Sequence, residues 1–83
     1  MSVPARFTVY LRPGCHLCED MLAGLHRLRS RLDFTLTILD VDADASLRAR
    51  YGERVPVLTD EAGEICHFFL DEAALQSRFA VKD

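Results

Sequence analysis

The chain reads as an α/β domain, a four-stranded mixed sheet flanked by three helices in the order β-α-β-α-β-β-α. Three observations predict it. Short runs rich in β-branched and aromatic residues alternate with apolar repeats of helical spacing. A polar turn, Asp60-Glu61-Ala62-Gly63, separates the last two strand-like runs and makes them a hairpin. Hydrophobic residues at 49% and charged residues at 28% of 83 positions suit one packed core, so residues 1–83 form a single domain.

Residues 6–11 alternate Phe7, Val9 and Leu11 with Thr8 and Tyr10, a strand pattern. Pro13 and Gly14 break it, since Pro lacks a donor and Gly accepts any turn geometry. Over residues 16–32, Leu17, Met21, Leu25, Leu28 and Leu32 recur at spacings of four and three, which is one face of a helix. Glu19 and Asp20 near its start and Arg27, Arg29 and Arg31 near its end suit the helix dipole. Gly24 costs this helix about 1 kcal/mol against Ala, a cost that a close approach to the sheet explains.

Residues 34–41 form the second strand, with Phe34, Leu36 and Ile38 on one face and Thr35, Thr37 and Leu39 on the other. Both faces are apolar or Thr, as in a strand covered by helices on each side. Asp42 or Asp44 caps a short helix running to Tyr51, and Gly52 supplies a left-handed stop. Residues 55–59, opened by Pro56, and residues 64–70 make the third and fourth strands. Asp71 caps a last helix from Glu72 to about Ala80, with Ala74, Leu75 and Phe79 as its buried side. The first β-α-β unit must be parallel and right-handed.

Charge and cysteine usage narrow the function. Ten Lys and Arg against thirteen Asp and Glu give −3, which disfavours a nucleic-acid surface. The longest stretches free of charged residues, such as residues 34–39, fall far short of the ~20 apolar residues of a membrane span. The first six residues lack an apolar signal core, and three cysteines are an odd number for a disulfide framework. These features predict a cytoplasmic monomer whose thiols are reactive, metal-bound or buried. Asp40, Asp42 and Asp44 hint at a calcium loop, but Ala45 and Tyr51 stand where that loop needs Gly and Glu. They read instead as strand-end charges and a helix cap.

Cys15-His16-Leu17-Cys18 falls where the first strand ends and the long helix begins. That spacing on a first helical turn brings two sulfurs within reach of a small disulfide ring. The helix N-terminus offers free backbone N–H groups and partial positive charge, which favour a thiolate at Cys15. Open α/β sheets also place their ligands at this carboxyl edge. Cys15 is thus the expected exposed nucleophile, and Cys18 the shielded resolving thiol. His16, inside the dithiol loop, either assists the thiolate or stands solvated on an exposed turn.

The run Tyr10-Leu11-Arg12-Pro13-Gly14-Cys15-His16-Leu17-Cys18, with Arg54-Val55-Pro56 before the hairpin, resembles a glutaredoxin of the thioredoxin superfamily. Asp40-Val41-Asp42-Ala43-Asp44 and Val55-Pro56-Val57 are similar, more narrowly, to small bacterial glutaredoxin-like proteins. The resemblance covers nearly the whole chain. It implies a thioredoxin-like fold, strand order 2-1-3-4, and thiol–disulfide oxidoreductase activity without a metal or organic cofactor. It also implies that Arg12 favours the thiolate and contacts glutathione, that Pro56 is cis, and that Val55 offers its backbone to an incoming thiol peptide.

Arg54 stands where glutaredoxins carry Thr, at the edge of the same substrate surface. Phe68-Phe69-Leu70-Asp71 replaces their Gly-Gly turn, which predicts poor use of glutathione. A disulfide-bearing protein or small thiol is then the expected substrate, with glutathione or a thioredoxin-type protein as reductant.

Other readings compete with this one. A zinc or iron–sulfur site would need Cys66, His67 or His16 to join the dithiol, yet adjacent Cys66 and His67 point to opposite faces of a strand. Cys66 reads as a small core residue. A binding module that uses the Val55-Pro56 groove without turnover is the remaining alternative, against which the intact pair of cysteines argues.

Overall fold

The computed structural model describes residues 5–79. Strand β1 (Ala5–Leu11) leads into helix α1 (His16–Leu28), and β2 (Phe34–Asp40) follows. A 3-10 turn (Val41–Ala43), helix α2 (Ala45–Tyr51), β3 (Val57–Asp60), β4 (Gly63–His67) and α3 (Glu72–Gln76) complete the order, with a 3-10 turn (Ser77–Phe79) at the end. The sheet runs β2-β1-β3-β4. β1 and β2 are parallel, from Ala5 opposite Phe34 to Leu11 opposite Asp40. β3 is antiparallel to β1, with Tyr10 opposite Val57, and antiparallel to β4. This is the mixed order the resemblance implied, and the Val55-Pro56 bond is cis.

The main core lies on one face of the sheet. Phe7, Val9, Phe34 and Leu58 rise from the strands to meet Met21, Leu25 and Leu28 of α1 and Leu75 of α3. Phe7 packs edge-on against Phe34 and Phe79, with ring centroids 5.2 and 5.6 Å apart. Such edge-to-face pairs add to the stabilisation from burial alone. On the opposite face Tyr10 stacks on Tyr51 of α2 at 4.1 Å.

Four local expectations are corrected. α1 stops at Leu28 because the Ser30 hydroxyl donates to the Arg27 carbonyl at 2.8 Å, and Leu32 packs on the core from the following turn. β2 is an edge strand, so helices do not cover both of its faces: Thr35, Thr37, Ile38 and Leu39 are exposed. Gly52 is not left-handed, since its φ of −55° and ψ of −31° are helical. β4 ends at His67 rather than at residue 70, because Phe68 turns to a φ of +64°.

Asp44, not Asp42, caps α2, accepting from the Ser46 and Leu47 backbone N–H groups. Asp71 caps α3 as expected, and Ala80 lies outside the described residues. Gly24 is explained by a side chain rather than by the sheet itself. A Cβ there would sit 2.7 Å from the Leu70 Cδ2.

Candidate active site

The parallel first unit delivers the dithiol to the carboxyl edge of the sheet. Gly14, at φ +75°, makes the turn that a side-chain-bearing residue would resist. Cys15 then becomes the N-cap of α1, with extended backbone and its Sγ accepting the Cys18 N–H at 3.2 Å. A sulfur thus fills the role that Ser or Asp oxygen plays at other helix starts. Cys15 is half-buried, whereas Cys18, one turn on, is 2% exposed, and both thiols are free. Burial, and then the hydrogen bond with Cys15, push the Cys18 thiol up to about 11, although the Arg12 backbone N–H pulls the other way. The two sulfurs are adjacent yet chemically unlike.

Arg12 is committed within the chain. Its Nε lies 3.2 and 3.1 Å from the two carboxylate oxygens of Asp42, and its Nη1 donates to the Gly52 carbonyl at 3.3 Å. The hydrogen bond and charge of Asp42 raise the guanidinium above its ordinary value, with the Cys15 and Cys18 thiolates adding smaller contributions. Gly52 is required by proximity: a Cβ would meet the Arg48 carbonyl at 2.5 Å and the Arg12 Nη2 at 3.2 Å. The sequence reading missed Asp42 and Gly52 as neighbours of Arg12. The signal was present in the parallel pairing, which sets Leu11 opposite Asp40 and brings the residues after both strands side by side.

The other expected site residues divide. His16 is exposed and faces Asp20 at 3.6 Å on the solvent side of α1. Arg54 pairs with Glu64, donates to the Arg50 carbonyl at 3.2 Å, and lies 5.8 Å from the Tyr51 ring centroid. Burial alone would raise Glu64, but hydrogen bonds from Arg54 and His67 outweigh it and hold the carboxyl below its ordinary value.

Pro56 is fully buried and Val55 half-buried. Both directly precede β3, whose first residue, Val57, lies opposite Tyr10 near the end of β1. The Pro56 carbonyl accepts the Phe68 N–H at 2.9 Å, which ties the post-β4 turn to this edge.

In that turn Phe68 takes the left-handed conformation and Phe69 is 69% exposed. A shallow groove of about 640 Å³ follows, lined by Ile65, Cys66, Phe69, Leu70 and acidic neighbours. Burial also raises the Cys66 thiol. Among the described residues no group of three or more His, Cys, Asp or Glu side chains gathers to hold a metal ion. No described helix is long and apolar enough to cross a membrane.

A dithiol at the first turn of α1, a cis-proline before β3 and a sheet of order 2-1-3-4 together define the thioredoxin-like class. Thioredoxin 1 from Thermosipho africanus is similar in fold, with a TM-score of 0.60 over 89% of this chain and 92% of that one at 21% identity. Residues 6–80 match the family described as Glutaredoxin-like domain (DUF836), and the chain belongs to that family. The solution structure of protein Ne2328 from Nitrosomonas europaea is 38% identical, with a TM-score of 0.84 over 94% of each chain. The X-ray structure of XcR50 from X. campestris is 33% identical, with a TM-score of 0.71 over 88% of this chain and 93% of that one. A protein described as uncharacterized from Mycobacterium tuberculosis is 35% identical over 74 residues, 83% of this chain and 76% of that protein.

Proposed function

We propose that the chain is a thiol–disulfide oxidoreductase. One observation carries the reading: the half-buried Cys15 sulfur holds the Cys18 N–H at a helix start, while the Cys18 thiol is sealed three residues on. The Cys15 thiolate attacks one sulfur of a substrate disulfide, forming a mixed disulfide and expelling a thiolate that takes up a proton. Cys18 then gives up its proton and attacks the Cys15 sulfur. The Cys15–Cys18 bond forms, the second substrate thiol leaves, and two electrons have passed to the substrate. A thiol reductant, glutathione or a thioredoxin-type dithiol, returns the pair to the reduced state.

The substrate surface comprises Cys15 with Arg12, His16, Arg54, Val55 and Pro56, and its substrate is a disulfide on a protein or a small thiol. Glutathione is a weak partner in this reading, because Phe68 and Phe69 crowd the turn and Arg12 is held by Asp42. The protein works in the cytoplasm as a monomer without a resident cofactor.

The test is a pair of variants. Cys15→Ser should abolish exchange, and its remaining Cys18 should alkylate slowly at neutral pH, accelerating as pH climbs towards about 11. Cys18→Ser should accumulate mixed disulfides. Equal residual exchange by both variants would overturn the assigned order of attack, and full exchange without Cys15 would overturn the reading itself.

A further inference from the structure

Arg12 lies three residues before the nucleophile, yet its Nε and one Nη1 donor are engaged inside the chain. Nε faces both oxygens of Asp42, and Nη1 donates to the Gly52 carbonyl. Two other basic side chains expected at the site also face carboxylates. His16 faces Asp20, and Arg54 faces Glu64, which also holds His67. Glu19, in the first turn of α1, adds a further negative charge beside the dithiol. An anion arriving at Cys15 therefore meets an Arg12 whose charge the Asp42 carboxylate already offsets. The attraction of Arg12 for such an anion is weakened by that pairing, and the Asp42 carboxylate itself repels the anion.

We propose that Asp42 determines specificity: by holding Arg12, it makes the dithiol discriminate against anionic disulfides relative to cationic ones. The inference rests on the redox reading above and extends it to the charge class of the substrate. Asp42 touches no reacting atom, so its role is positional. The pair is partly exposed, with side-chain accessibilities of 37% and 42%, so its influence is modest and sensitive to salt.

The experiment uses the Cys18→Ser protein, which stops at the first step. The Cys15 thiolate attacks the probe, a Cys15–probe disulfide forms, and one probe thiolate is released. Second-order rates are measured with cystamine, which is dicationic, and with dithiodipropionate, which is dianionic. Asp42→Asn should raise the dithiodipropionate rate about three- to fivefold relative to the cystamine rate at low salt. High salt should erase most of that change. Arg12→Gln, which leaves Asp42 unmatched, should move the ratio the other way. Asp42→Glu, which keeps a carboxylate, should restore the starting ratio.

Glu61→Gln supplies the control, since it changes net charge equally at the turn between β3 and β4. It should move the ratio much less than Asp42→Asn does. A ratio unmoved by both Asp42→Asn and Arg12→Gln, or moved equally by Glu61→Gln, would overturn the proposal while leaving the redox reading intact. Failure of both probes to react with Cys15 would overturn the redox reading and the proposal with it.

Discussion

The face of the sheet beneath α1 and α3 and the face beneath α2 use the same strands in different ways. On the first, Phe7, Val9, Phe34 and Leu58 interlock with Met21, Leu25, Leu28 and Leu75, all at most 4% exposed. On the second, α2 has no buried residue, and the sheet presents Arg6, Thr8, Thr35, Thr37 and Thr59 around a polar hollow. That side is held by the fully buried Val57, opposite Tyr10, and by discrete pairs: Tyr10 on Tyr51, and Arg12 on Asp42 and Gly52. The larger apolar core thus lies on one face, and the charged pair beside the dithiol lies on the other.

Substitutions can break or sharpen that contrast. Leu25→Ala should have the largest effect, a loss of about 2–5 kcal/mol in urea unfolding, because Leu25 is fully enclosed by the first face. A loss below about 1 kcal/mol would show that this face is not the store of stability.

The second effect is a pH slope. The Cys18 thiol ordinarily titrates at 9.0 but is raised to about 11 in the fold, so above pH 9.0 the native state keeps a proton that the unfolded chain has lost. Stability should therefore fall as pH rises from about 9 to about 11 under reducing conditions, and Cys18→Ala should flatten that part of the profile. Identical slopes in both proteins would refute the assignment.

On the second face, a double-mutant cycle on Tyr10 and Tyr51 should return a coupling of about 0.5–1.5 kcal/mol. Zero coupling would mean that the stack contributes only area. The smallest effect is a balance at the helix. Gly24→Ala should change stability by less than about 0.5 kcal/mol, because the gain in helix propensity is offset by moving Leu70. In a Leu70→Ala background the same change should stabilise by about 0.5–1 kcal/mol.

Much of this architecture is legible in the sequence because it rests on local chemistry. Alternation marked the strands, the leucine spacing marked α1, and Asp71 marked the start of α3. The Cys15 and Cys18 spacing and the Val55-Pro56 pair carried the resemblance, from which the strand order and the cis bond followed. What escaped depends on partners distant in the chain or on competition within a turn. The Ser30 hydroxyl took the Arg27 carbonyl and ended α1 before Leu32 could join it. Thr35 and Thr37 fit a covered strand and a solvated edge equally well, and only the position of β2 in the sheet decides between them. Gly52 has the composition of a left-handed cap, yet its smallness clears the Arg48 carbonyl while its own carbonyl accepts from Arg12, forty residues away in sequence.

The Arg12–Asp42–Gly52 cluster also has a consequence for how related sequences diverge. Positions 12 and 42 contribute side chains to one another, so relatives that lose the acid at 42 should also tend to exchange the base at 12. Position 52 should not follow them. The nearest atom to a side chain there is the Arg48 carbonyl, which belongs to the backbone and is the same whatever residue occupies 48. An alignment of the family should therefore show two columns drifting together around a third that stays glycine.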